Sequence, residues 1–156
     1  MELDKKDCLI LEMLQKDCRA SLTDIAAHVG LSIDSTKKRM NRMLSNKVFY
    51  PRIQLRPRNF GFPNVVDVKL KLQYSSEKEL AELIRYLKMH PRVVEFFSVS
   101  GEWDMSIVVI AKDAIDLGKV TDEIRNKFGK QISSWNASLT VNSYKFEEYR
   151  MGELLG

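Results

Sequence analysis

Residues 21–46, SLTDIAAHVGLSIDSTKKRMNRMLSN, leave the chain few folds to choose from. Leu22, Ile25, Ala26 and Val29 recur at the spacing of one helix face, and Ser21 with Asp24 three residues on is the pattern that caps such a helix. Gly30 then stops it, because glycine enters the left-handed conformation at a helix end without a steric penalty. Ser32 is placed to cap a second helix running to residue 45, which Asn46 can close in the same left-handed way. Helix, glycine turn, helix is the helix-turn-helix arrangement, although an ordinary helical hairpin with a solvated basic face has the same pattern.

On a wheel of about 100° per residue, Ile33, Thr36, Met40, Met43 and Leu44 share the inward side of the second helix. Asp34, Ser35, Lys38, Asn41 and Arg42 take the opposite side, Arg39 lies on the flank, and Lys37 points further inward than Lys38. A helix that buries one stripe and offers Ser, Lys, Asn and Arg on the other suits a DNA major groove. Arg and Lys meet guanine acceptors or phosphates, Asn pairs with adenine, and Ser reaches either. Arg39 is as well placed to pair with an acid inside its own domain. The candidate DNA contacts are therefore Ser32, Asp34, Ser35, Lys38, Arg39, Asn41 and Arg42, with Arg52 from the segment that follows.

The local charge favours a polyanion. Residues 32–58 carry Lys37, Lys38, Arg39, Arg42, Lys47, Arg52, Arg56 and Arg58 against the single acid Asp34. The whole chain is only +4, so the cations are concentrated in the N-terminal third and the remainder is close to neutral.

With 156 residues and 44% hydrophobic composition, the chain has room for one domain or two small ones. The charged start MELDKKD has no apolar run behind it and does not read as a signal peptide. The longest apolar run, residues 107–111, is far too short for a membrane span, so a cytoplasmic protein with no membrane partner is expected. Cys8 and Cys18 have no companion cluster and are read as buried or half-buried thiols, while His28 and His90 are read as helix-end or surface histidines. No metal or cofactor site and no catalytic constellation is legible.

In chain order, Asp4 and Asp7 cap a first helix ending near residue 17, which makes three helices within residues 1–50. Residues 51–64 contain PRIQLRPRNFGFP, whose prolines cannot continue a helix. A basic linker or a wing strand beside DNA is expected there. From residue 65 the period becomes two: Val66, Val68, Leu70, Leu72 and Tyr74 alternate with polar residues in a half-buried strand. Ser76 and Glu79 cap a helix with Leu80, Leu83, Ile84 and Leu87 inward, ending at Pro91. Strands at residues 93–100 and 105–111 flank the turn formed by residues 101–104. Asp113 caps a helix carrying Leu117, Val120, Ile124 and Phe128, and a last strand covers residues 134–146.

The fold class is thus α+β. A three-helix helix-turn-helix domain (1–50) is joined by a basic segment (51–64) to a ferredoxin-like βαββαβ domain (65–148), with a short tail (149–156). Met105, Ile107, Val109 and Ala111 alternate with Val108 and Ile110, so the third strand is apolar on both faces. With helices on one face only, the other is expected to be covered by a second subunit.

This combination resembles the Lrp/AsnC, or feast/famine, family of transcriptional regulators over essentially the whole chain. The residues that carry the resemblance are LDKKDCLILEMLQKDCRASLTDIA at 3–26, VGLS at 29–32, Arg39, and VSGEWD at 99–104. It implies DNA binding by the N-terminal unit, effector sensing by the C-terminal one, and dimers that often assemble further into octameric discs. It also implies that members often regulate their own genes. Many such proteins bind a free amino acid near the glycine-to-aspartate turn, which places Gly101, Glu102, Trp103 and Asp104 at an effector pocket. In that reading Gly101 allows close backbone approach, Asp104 accepts from an ammonium group and Trp103 closes over a side chain. A plain hairpin turn with Trp103 at a subunit contact is the other reading. The chain departs from the family pattern at Lys47-Val48-Phe49, where Gly-Val-Ile is usual, and at Trp103, where Tyr is commoner.

Two other functions are weighed against a regulator. Sirohaem decarboxylases resemble the same two-part architecture, but a histidine in the joining segment matters there, and LRPRNFG at 55–61 has none. An RNA-binding sheet would use exposed aromatics. Phe96 and Phe97 face opposite sides of one strand, so one is expected in the core and the other at an interface.

Overall fold

Side-chain caps start each helix of the first unit. In the computed structural model, which describes residues 1–73 and 75–155, the Asp4 carboxylate accepts from the Lys6 and Asp7 amides at the head of α1 (Lys5–Lys16). Asp7 reciprocates by accepting from the Asp4 N–H. Ser21 heads α2 (Leu22–Val29) by accepting from the Asp24 N–H, and Gly30, at φ 65°, closes it. Ser32 heads α3 (Ile33–Ser45), where the hydroxyl of buried Thr36 donates back to the Ser32 carbonyl at 3.0 Å.

The end of α3 differs from expectation. Asn46 stays at φ −86° and its side-chain amide donates to the Arg42 carbonyl, whereas Lys47 takes the left-handed conformation at φ 57°. The Val48 N–H returns to the Met43 carbonyl and the Lys47 N–H to that of Leu44. This is the paired bonding of a Schellman turn, which puts the residue after the cap in the left-handed region.

The chain divides into two compact units, Met1–Gln54 with Tyr144–Gly156, and Leu55–Ser143. The core of the first is Ile10, Leu11, Ile25, Val29 and Met43. Its C-terminal segment forms α6 (Met151–Leu155), with Met151 against that core. Gln15 of α1 exchanges two hydrogen bonds with the Tyr149 backbone, and Glu12 accepts from the Gly152 N–H. Residues 144–148, expected with the sheet, therefore belong to the helical unit. Ile33, expected inward, is 50% exposed, because the first residue of a helix leans past its N-terminal end and beyond the packed stripe. Cys8 is buried, but Cys18 sits exposed in the turn after α1.

Of the linker and the wing strand expected after the third helix, the strand does not form. Residues 51–56 have no regular structure, and Pro57–Phe60 make a single 3-10 turn with proline at its head, as expected where prolines remove backbone donors. The sheet elements follow as β1 (Asn64–Leu72), α4 (Glu77–Met89), β2 (Val93–Ser98), β3 (Met105–Ala111), α5 (Ala114–Phe128) and β4 (Ile132–Leu139). Tyr74, expected as the last inward residue of the first strand, lies outside the described residues. The strand order is β2-β3-β1-β4 with every neighbouring pair antiparallel, the ferredoxin-like order.

The last strand stops well short of residue 146. The Thr140 N–H still donates to the Val65 carbonyl, and the Arg58 guanidinium then takes the Thr140 and Val141 carbonyls that a longer strand would have used. Arg58, counted among the cations of the linker, is directed to backbone.

Val66, Val68 and Leu70 of β1 with Met105, Ile107 and Val109 of β3 form one sheet face. It is covered by Leu83 and Leu87 of α4 and by Val120, Ile124 and Phe128 of α5. Phe96 packs against this core, while Phe97 is 52% exposed. The second face of β3 is only partly apolar. Val108 is half-buried and Ile110 buried, but Ser106 accepts from Lys69 and donates to Asp67, so a polar triad sits at mid-sheet. Ile107 has no solvent exposure. Ile107→Ala should lower the stability of the sheet unit by about 2–5 kcal/mol. Both tryptophans, Trp103 and Trp135, lie in this unit, so their fluorescence in a urea titration reads that loss directly.

Candidate DNA-binding and effector sites

The exposed side of α3 is a consequence of its caps and its buried stripe. With Thr36 and Met43 fully inside, Asp34, Ser35, Lys37, Lys38 and Asn41 face outward, and Ser32 stands exposed at the helix start. Lys37 is therefore as accessible as Lys38, contrary to the inward placement expected from the wheel. Lys38 reaches back one turn to Asp34, with Nζ 2.8 Å from Oδ2. Both groups are widely exposed, so the pair is weak and exchangeable. Ser35 Oγ accepts from the Ser32 hydroxyl at 3.0 Å.

Two of the candidate DNA contacts point elsewhere. Arg39 Nη1 lies 2.6 Å from Asp4 Oδ2 and 2.9 Å from Asp7 Oδ1, and Arg42 Nη2 lies 2.6 Å from Asp7 Oδ2. Their place on the flank of α3 nearest the head of α1 brings them there. Arg39, as one alternative had it, pairs inside its own domain; Arg42, expected on the open face, is drawn in with it. From the sequence Asp7 has a capping role only, and its pairing with two arginines of α3 is seen in the structure, although an acid on the apolar stripe of α1, between Leu3 and Ile10, is a signal of it. Arg52, in the segment after α3, stands with its guanidinium carbon 5.1 Å from the centre of the Tyr50 ring.

In the sheet unit, residues 101–104 make the turn between β2 and β3. Gly101 sits at φ 137°, which side-chain-bearing residues rarely adopt, and open space surrounds the position a Cβ would fill. Within this chain that conformation serves the turn, and no atom of the described residues crowds the glycine. The β1–β3 ladder ends at Leu70 and Met105, and Asp104 extends it: its N–H donates to the Leu70 carbonyl, and its Oδ2 accepts from the Leu72 N–H at 2.7 Å. Lys71 Nζ donates to the Glu102 carbonyl at 2.7 Å and lies 3.5 Å from Asp104 Oδ1. Trp103 is half-buried and Glu102 exposed. An incoming ammonium group would meet an aspartate already engaged on both oxygens.

Two surface pockets lie elsewhere in this unit. One of about 370 Å³ is lined by Tyr86, His90, Glu123 and Lys127 among others, and one of about 270 Å³ by Arg125, Ser134 and Trp135 among others; residues 101–104 line neither. In the first, Tyr86 donates to Glu123, and burial followed by that bond pushes the Tyr86 hydroxyl up to about 12. His90 is buried at the end of α4, its Nδ1 accepting from the Arg92 N–H. Among the described residues, no group of three or more His, Cys, Asp or Glu side chains could hold a metal ion, and no helix is long and apolar enough to cross a membrane.

A helix-turn-helix with a polar, cation-bearing second helix, joined to a ferredoxin-like sheet unit, defines a DNA-binding regulator with a separate sensing domain. Residues 3–44 match the model of the AsnC-type helix-turn-helix domain, and residues 65–148 match that of the Lrp/AsnC ligand-binding domain. The chain belongs to the Lrp/AsnC family of transcriptional regulators. It is 30% identical over 129 residues to the HTH-type transcriptional regulator LrpA of Pyrococcus horikoshii, covering 82% of this chain and 87% of that protein. It is 29% identical over 122 residues to the regulator Ptr1 of Methanocaldococcus jannaschii, covering 78% of this chain and 80% of that one. An AsnC family regulator from Agrobacterium tumefaciens shares its fold with a TM-score of 0.85 at 24% identity, over 98% of this chain and 100% of that chain. A Neisseria meningitidis transcriptional regulator solved in complex with L-Met matches with a TM-score of 0.86 at 17% identity, over 98% of this chain and 99% of that chain.

The Asp4 carboxyl is held below the ordinary carboxylate range, chiefly by the Asp7 N–H and then by the Arg39 guanidinium. A carboxyl whose folded-state pKa is lowered contributes stability that is present above its unfolded value and is lost as pH falls through the folded one. Asp4→Asn should therefore flatten the acid side of the stability curve below about pH 4. Urea midpoints followed by far-UV circular dichroism on either side of that pH check this.

Proposed function

We propose that this regulator reads double-stranded DNA with the exposed face of α3, through Lys38 and Asn41 at its centre and with Ser32, Asp34 and Ser35 beside them. The observation that carries this is the outward grouping of those side chains on a helix whose opposite stripe is buried. Asn41 is suited to adenine and Lys38 to guanine or phosphate. Arg39 and Arg42 lie at the edge, held by acids, and Arg52 is a backbone contact from the following segment. A twofold dimer, with the partly apolar second face of β3 as its contact, would present two such helices to half-sites about one helical turn apart. Assembly beyond the dimer, to an octamer, is the larger form the family resemblance supports.

The sheet unit is proposed to take a small effector, an amino acid, near residues 101–104. The domain match and the L-Met complex of the Neisseria regulator support that reading. The engaged state of Asp104 shifts the expected contacts toward Trp103, Glu102 and the turn backbone. Regulation without catalysis, in the cytoplasm, is the reading that the named relatives support over a tetrapyrrole decarboxylase.

An anisotropy titration against the DNA upstream of this chain's own gene, beside a scrambled duplex and with or without a pooled set of amino acids, tests both parts. Asn41→Ala should weaken the native fragment by about 1–3 kcal/mol and leave the scrambled duplex unchanged. A pool-dependent shift in wild type that is lost in Trp103→Ala supports the effector reading, and a shift that survives in that variant moves the site away from the turn. Equal binding of both duplexes by wild type would count against base reading by α3.

A further inference from the structure

The helix-turn-helix spends two of its four α3 cations on acids of α1. Asp7 has 0% side-chain exposure. Its Oδ1 receives Arg39 at 2.9 Å, and its Oδ2 receives Arg42 at 2.6 Å and the Asp4 N–H at 3.2 Å. Arg39 is 26% exposed and is shared with Asp4, while Arg42 keeps 49% exposure. The carboxylate cannot follow these arginines outward, because the capping bonds at the head of α1 fix it.

We propose that Asp7 is a specificity-determining positioning residue. By holding Arg39 and Arg42 against the domain, it keeps them off the DNA backbone, so that contacts from α3 are left to the centre of its exposed face. This rests on α3 being the DNA-reading helix.

The physical reason is competition for a guanidinium. A phosphate on DNA offers a charge screened by water and salt, whereas Asp7 offers a desolvated carboxylate at hydrogen-bond distance, where the attraction is stronger. An arginine released to the backbone adds sequence-independent affinity and about 0.9 to the salt slope. Because competing non-specific sites are so numerous, occupancy of an operator depends on the ratio of specific to non-specific binding. An arginine freed in this way raises the second term without raising the first in proportion.

The test uses the full-length chain, a scrambled duplex and the fragment upstream of its own gene, each titrated by anisotropy over a series of salt concentrations. Asp7→Asn should bind the scrambled duplex more tightly, steepen its log–log salt slope by about 1, since Arg42 is released while Arg39 keeps Asp4, and lower the ratio of the two affinities. Glu2→Gln removes the same charge from the same unit at an exposed site and should give a much smaller change. In the wild-type background Arg42→Gln should leave the slope as it is, because Arg42 is already occupied. An Asp7→Asn protein that keeps a folded circular dichroism spectrum with the wild-type slope would overturn the proposal. So would an Arg42→Gln slope shallower by about 0.9, which means that Arg42 already contacts phosphate. If Asp7→Asn does not fold, Arg42→Gln decides alone. Wild-type protein that binds neither duplex would bring down the DNA-reading assignment itself, an outcome visible before any variant is compared.

Discussion

A single buried carboxylate organises the helical unit. Asp7 closes the cap of α1, sits on that helix's inward stripe, and receives two guanidiniums from α3, so that one side chain sets the approach of the first and third helices. Removing both guanidiniums would leave a fully buried carboxylate without its cationic partners, a cost tempered by the partial exposure of the two arginines. The stabilising work and the electrostatic work are linked. The bonds that hold the helices together are the same bonds that occupy Arg39 and Arg42, and the polar centre of α3 is what remains outward.

The sheet unit shows a comparable economy at its turn. The ladder between β1 and β3 runs out at Leu70 and Met105, and Asp104 continues it with its own backbone and carboxylate. Lys71 then ties the same turn through the Glu102 carbonyl. A turn held this firmly gives Trp103 and Glu102 a fixed base. The Arg58 guanidinium plays the matching part at the far end of the sheet, where it takes the carbonyls of Thr140 and Val141 just beyond β4. Basic residues that look like DNA contacts in a one-dimensional count can be structural in this way.

How much of this was legible in the sequence depends on how local the physics is. Helix starts follow from one side chain and an amide two or three residues on, so Asp4, Ser21, Ser32, Ser76 and Asp113 could be placed directly. The twofold pattern of Val66, Val68 and Leu70 and the apolar run in β3 likewise gave the strands, and their order gave the ferredoxin-like topology. Of the candidate sites, the inward Thr36 and Met43 and the outward Asp34, Lys38 and Asn41 could be read from a helical wheel.

The sequence by itself thus determined the two architectures, their caps and the family to which the chain belongs, because each rests on periodicity or on contacts a few residues apart. Tertiary structure alone decided which charges are free. Arg42 meets Asp7 across 35 positions, Arg58 meets Val141 across 83, and Asp104 meets Leu72 across 32. It also decided that the C-terminal segment packs on α1 and that Lys47, rather than Asn46, turns left-handed. Such pairings join groups far apart in the chain, and local propensity carries no term for the carboxylate or carbonyl that a distant cation will find once the core has closed.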